Sequence, residues 1–91
     1  MFNKLKQFKD LRNQAKTLQN ALAQESVEYE KNGIKITMNG NMEITKLTIN
    51  TEAPKDKLEN ILTDVVNEII KRAQKVMAKK VQDMGGIQGF N

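Results

Sequence analysis

The spacing of hydrophobic positions changes character twice along the chain. Phe8, Leu11, Ala15, Leu18 and Leu22 recur at steps of 3-4-3-4, which puts all five on one stripe of a helix of about six turns ending near Glu25. Phe2 and Leu5 extend the stripe less regularly towards the N-terminus. A seam this narrow is coiled-coil-like and suits packing on another helix better than covering a broad core. From Ser26 the period becomes two: Val27 and Tyr29 alternate with Glu28 and Glu30, then Ile34, Ile36 and Met38 alternate with Lys35, Thr37 and Asn39. Asn32-Gly33 between them is a type I′ hairpin signal, because both central residues of that turn need positive φ. Asn39-Gly40 repeats the turn chemistry before Met42, Ile44, Leu47 and Ile49, whose apolar phase slips between Ile44 and Leu47 and predicts a bulge or a late-starting strand. The expectation is a three-stranded antiparallel meander, one face of which requires a helical cover.

A second helix is expected from Pro54 onward. Proline fits a first turn, where its missing N–H is not needed; Thr51 marks the cap region, and Glu52 and Asp56 favour the positive end of the helix dipole. Its apolar residues, Leu58, Ile61, Leu62, Val65, Val66, Ile69, Ile70, Ala73, Val76, Met77 and Val81, span an arc of roughly 200° at 100° per residue. That is too wide for one contact, so one flank is expected on the sheet and the other on the first helix or on a second subunit. Lys71, Arg72, Lys75 and Lys79 gather on the opposite side, with Glu68 placed to pair with Arg72 one turn away. Met38, Met42 and Met77 read as core filling, and Met84 as the end of the helix. The fold class is therefore α+β, in the order α-β-β-β-α, with the meander packed against helices.

Composition sharpens this picture. Ninety-one residues make a single domain, too small to bury a large core alone, and the hydrophobic share is 38%. Zero cysteines and zero histidines remove disulfides, thiolate metal sites, the commonest nitrogen ligand and Ser-His or thiol catalysis. No cofactor, metal site or small-molecule substrate is implied, and oligomerisation remains as the source of further burial. Asp64 and Glu68, a carboxylate pair at i, i+4, read as surface ion-pair partners rather than an acid/base couple, so no enzymatic role is expected. No secretory segment is visible and apolar runs stop at pairs such as Val65-Val66, so neither export nor membrane spanning is expected and the cytoplasm is the anticipated location. Residues 85–91, with three of the five glycines, read as a loose tail.

The net charge of +4 is unevenly spread: +3 over residues 1–25, zero over 26–50, −3 over 51–70 and +4 over 71–91. Lys9, Arg12 and Lys16 form a stripe on the first helix beside its apolar seam. Clustering at both chain ends points to a polyanion or an acidic surface as partner, since the local field depends on clustering more than on net charge. Zinc-finger spacing and RNP-type aromatic platforms are both absent, and the four aromatic residues do not interleave with the basic ones.

Four strings in this order, NQAKTLQNALA, NGIKITMNGNMEITKLTIN, VVNEIIKRAQKVM and MGGIQGF, resemble the YbaB/EbfC family of bacterial nucleoid-associated proteins over nearly the whole chain. The resemblance implies a single YbaB/EbfC-like domain over 1–91 that forms a tweezer-like homodimer and binds double-stranded DNA without enzymatic chemistry. It also implies that DNA contact comes from charged residues of the two helices. On this sequence those positions are Lys9, Arg12 and Lys16 in the first helix and Lys71, Arg72, Lys75, Lys79 and Lys80 in the second. Two competing classes are a protein-interaction module whose basic helices dock an acidic partner, and a peripheral helix lying on an anionic membrane through Phe2, Leu5 and Phe8. The seam running on to Leu22 favours helix packing over the membrane, which is not expected as a partner.

Overall fold

The computed structural model describes residues 3–84, with side chains from residue 7. The expectations for Phe2, for the Leu5 side chain and for the tail at 85–91 lie outside what is described. The elements follow the predicted order: α1 (Asn3–Ala23), β1 (Ser26–Lys31), β2 (Ile34–Asn39), β3 (Ile44–Ile49) and α2 (Lys55–Asp83). The sheet is an antiparallel meander with β2 in the centre.

The first turn has the expected geometry. Asn32 and Gly33 both have positive φ, 50° and 89°, so β1 and β2 pair in register from Lys31↔Ile34 out to Ser26↔Asn39. A Cβ on Gly33 would also run into the Asn50 carbonyl, so glycine is required there twice over. The phase slip in β3 is a bulge. Thr37 faces Lys46 while Met38 faces Ile44, leaving Thr45 without a partner residue, and its hydroxyl donates to the Thr37 carbonyl at 3.3 Å. With the slip absorbed, Ile44, Leu47 and Ile49 stand opposite Met38, Ile36 and Ile34 and therefore share their face of the sheet.

The core lies between that face and α2. Val65, Ile69 and Ala73, one helical turn apart, are fully buried against Ile34, Ile36 and Met38. Tyr29 and Val27 of β1 close one side and Leu58, Ile61, Leu62, Val66 and Ile70 surround the spine. α2 begins at Lys55, with Pro54 one position earlier than expected, at the N-cap rather than inside the first turn. Thr51 caps no helix: its hydroxyl accepts from the Ala53 N–H at 3.2 Å and orders the approach to Pro54. Met84 closes the helix, its N–H donating to the Lys80 carbonyl at 3.0 Å.

Two features depart from the sequence reading. Met42 is exposed, with a φ of 62°, because it forms part of the β2–β3 turn instead of the core. The α1 seam finds a partner only at its C-terminal end: Leu22 is 4% exposed, Leu18 half-buried, and Phe8 70% exposed. Among the described residues the cover of the sheet is thus α2, packed on β1 and β2, while α1 packs chiefly on α2. The molecule is long and thin, 62 × 20 × 18 Å.

Candidate functional site

The two basic segments at opposite ends of the chain adjoin in the fold. α1 delivers Glu25, just past its last turn, to Lys80 near the end of α2, where the ion pair closes at 3.0 Å. Lys9, Arg12 and Lys16 lie on the exposed surface of α1, and Lys71, Lys75 and Lys79, spaced four residues apart, run along the solvent side of α2. The acidic stretch, residues 51–70 with a charge of −3, leads into α2 and forms the other end of that helix. Sequence order separated the positive segments; the path of the three-stranded sheet brings the end of α2 back to the end of α1.

Cations in this structure divide by use. On the sheet, Lys31 meets Asp64 at 3.0 Å and Lys35 meets Glu28 at 2.9 Å. Hydrogen bonding to those carboxylates, with their charge, holds both ammonium groups above their ordinary value of 10.5. On the helices, Lys9, Arg12, Lys16, Lys71, Lys75 and Lys79 have no carboxylate partner within 4.0 Å among the described residues. Their charge faces solvent and is available to an external anion.

Arg72 and Lys80 behave differently from the other candidates. The Arg72 guanidinium carbon sits 4.7 Å from the centre of the Tyr29 ring, and its Nε lies 3.9 Å from Glu68. Stacking on β1 orients this side chain and ties α2 to the sheet edge. Lys80, with Glu25, is a strut between the helices. Tyr29 is the residue that sequence reasoning left out, since a lone tyrosine facing a core gives no sign that an arginine of another element covers it.

Around Lys71 the surface is concave: Glu68, Lys71, Arg72, Gln74, Lys75 and Ala78 line an open depression of about 660 Å³. Three of its six lining residues are cationic, and it is open to solvent rather than an enclosed small-molecule pocket. Asp64 and Glu68 do not form a paired acid and base, because each is turned to a different cation, Lys31 and Arg72. Among the described residues there is no cluster of acidic side chains able to hold a metal ion and no helix long and apolar enough to cross a membrane.

Comparison with known proteins identifies the family. The model of the YbaB/EbfC DNA-binding family matches residues 1–88. A nucleoid-associated protein of an Anaeromyxobacter species (strain Fw109-5) is 40% identical over 77 residues, covering 70% of this chain and 75% of the relative. One from Caldanaerobacter subterraneus is 30% identical and covers 98% of this chain and 84% of its own length. A third, from Acinetobacter baumannii, is 30% identical with 90% and 80% covered.

Proposed function

The chain belongs to the YbaB/EbfC DNA-binding family, and from that premise we propose that it acts as a nucleoid-associated protein of the cytoplasm, binding duplex DNA as a homodimer mainly through phosphate contacts. The observation that carries the reading is the set of unpaired cations on the two helices: Lys31 and Lys35 of the sheet are neutralised within the fold, whereas Lys9, Arg12, Lys16, Lys71, Lys75 and Lys79 face solvent with no carboxylate partner among the described residues. Lys9, Arg12 and Lys16 on α1 and Lys71, Lys75 and Lys79 on α2 form the contact set. Arg72 and Lys80, already engaged by Tyr29, Glu68 and Glu25, are its weaker members.

Lysines and arginines that neutralise phosphates release condensed counterions, which gives affinity and a steep salt dependence without reading sequence. Of the side chains with the chemistry to read an adenine edge, Asn13 and Gln74 are exposed on the helix surfaces and Gln14 is half-buried, which favours a binding mode of charge and shape.

Support for the homodimer comes from the sheet. Ile44, Leu47 and Ile49 are 51%, 49% and 48% exposed although they share a face with the buried β2 residues. Arg72 on Tyr29 and Asp64 on Lys31 fix one flank of α2 over β1, which turns the opposite flank, with Leu62, Val66 and Ile70, towards β3. Together these residues make one continuous apolar strip, and a second copy of the chain presents the same strip across a two-fold axis. Burying what is left exposed of three large aliphatic side chains contributes about 1 kcal/mol each per protomer.

The test is a titration of two unrelated duplexes at several salt concentrations, beside a Lys71/Lys75/Lys79→Ala variant of confirmed folding. Similar affinities for both duplexes are expected, with a log-linear fall with salt whose slope drops by about 2.7 per protomer in the variant, at 0.9 per phosphate contact. Absence of duplex binding near physiological salt overturns the reading in favour of an acidic protein partner.

A further inference from the structure

The β2–β3 turn does more than reverse the chain. At its start Asn39 is buried, and its side-chain oxygen accepts from the N–H groups of Asn41 at 2.9 Å and Glu43 at 3.1 Å, while its amide donates to the Glu43 carboxylate at 3.0 Å. This makes the turn rigid. The rigid turn then points two donors at α1: the Gly40 N–H reaches the Leu22 carbonyl at 2.9 Å, and the Asn41 amide reaches the Gln19 carbonyl at 3.0 Å.

The last carbonyls of a helix lack partners inside it, and here the Leu22 carbonyl accepts both from the Glu25 N–H just past the helix, at 3.1 Å, and from a turn in a different part of the chain. Gly40 is also as close to α1 as any residue can be. A Cβ there would lie 2.8 Å from the Leu22 carbonyl oxygen, 2.9 Å from its Cδ2 and 3.1 Å from its Cα. Two of those three atoms are backbone, so relief requires α1 itself to move. Beyond this attachment, α1 loses burial steadily towards Phe8.

We propose that Asn39, Gly40 and Asn41 form a bracket that sets the angle of α1 to the body and thereby positions Lys9, Arg12 and Lys16 for DNA relative to Lys71, Lys75 and Lys79. This rests on the DNA-binding reading above. From Leu22 to Lys9 is thirteen residues, about 20 Å of helix at 1.5 Å each. A tilt of about 10° at the bracket moves Lys9 by about 3.5 Å, about the spacing of one strand's phosphates along the DNA axis. The three bracket residues touch no DNA in this account. They are positioning residues acting through the helix they hold.

The absence of cysteine makes the test direct, because two introduced cysteines are the only labelling sites. Spin labels at Asn13→Cys on α1 and Asn60→Cys on α2, both exposed, report the arm angle when labelled chain is diluted into unlabelled chain. Gly40→Ala is expected to shift the distance distribution and Asn41→Ala, which removes one hydrogen bond from a half-exposed side chain, to broaden it. In both, the salt slope for duplex binding should fall towards that of a Lys9/Arg12/Lys16→Ala variant, by up to about 2.7 per protomer, with no further fall when the changes are combined. Circular dichroism of each variant checks folding, and Asn41→Ala serves where Gly40→Ala does not fold. Unchanged distances, or shifted distances with an unchanged slope, overturn the bracket's role. If the parent chain binds no duplex at all, the underlying reading fails instead, and the label distances still report whether the bracket holds the arm.

Discussion

β2 and β3 are six residues each and carry three large apolar side chains on the same face of the same sheet, yet Ile34, Ile36 and Met38 are at most 2% exposed and Ile44, Leu47 and Ile49 about half exposed. The difference is not in the strands. It lies in where α2 is held: the Arg72–Tyr29 stack and the Lys31–Asp64 pair draw that helix over β1 and β2, and its spine of Val65, Ile69 and Ala73 closes on the central strand. Equal hydrophobic patterns therefore serve two purposes, one internal to the chain and one directed outward. An apolar face that no described residue of its own chain covers is what the proposed homodimer would bury.

The same kind of substitution on each strand separates those purposes. Ile36→Ala removes a fully buried side chain from the centre of the core and is expected to cost about 2–5 kcal/mol, most of the stability of a small domain. Chemical denaturation should show it as a large drop in midpoint. Retained stability would mean that the spine of α2 does not depend on β2.

Leu47→Glu, directly across the ladder from Ile36, should leave the fold intact but weaken self-association by at least roughly a hundredfold, since a two-fold interface meets the change twice. Sedimentation equilibrium measures this, and a variant as dimeric as its parent would place the interface away from β3.

The smallest effect concerns the other sheet edge, β1, which is tied by charge where β3 is not. The Lys31 ammonium is held above 10.5 by Asp64, so the pair's contribution is complete at neutral pH and is lost only as pH rises through the raised value. Stability should be flat through neutrality and decline above about pH 10.5, and Lys31→Met should remove the Lys31 share of that decline. Being exposed, this pair makes a modest contribution in any case.

Helix and strand order, the type I′ turn at Asn32-Gly33 and the β3 bulge were all legible because each is written in local spacing, and the basic residues of the candidate site could be named from the charge pattern. Which cations stay available could not. Lys80 and Arg72 read like Lys71 and Lys75 along the sequence, and only the approach of Glu25 from α1 and Tyr29 from β1 sets them apart. Met42 differs from its local reading because it shares the alternation of Ile44, yet its positive φ places it in the turn before β3 begins. The Asn39–Asn41 bracket reads locally as a turn, and nothing local announces that α1 ends against it.

By itself, then, the sequence determines the elements, the polarity of each face and the family, because these follow from side-chain periodicity, turn-forming residues and motif strings within a few residues of one another. Tertiary structure decides which apolar face is left uncovered, which charges are neutralised internally and where α1 is anchored. Those outcomes depend on contacts between residues far apart in the chain, such as Lys31 with Asp64 and Gly40 with Leu22, and no local pattern encodes the distance at which two such groups will meet.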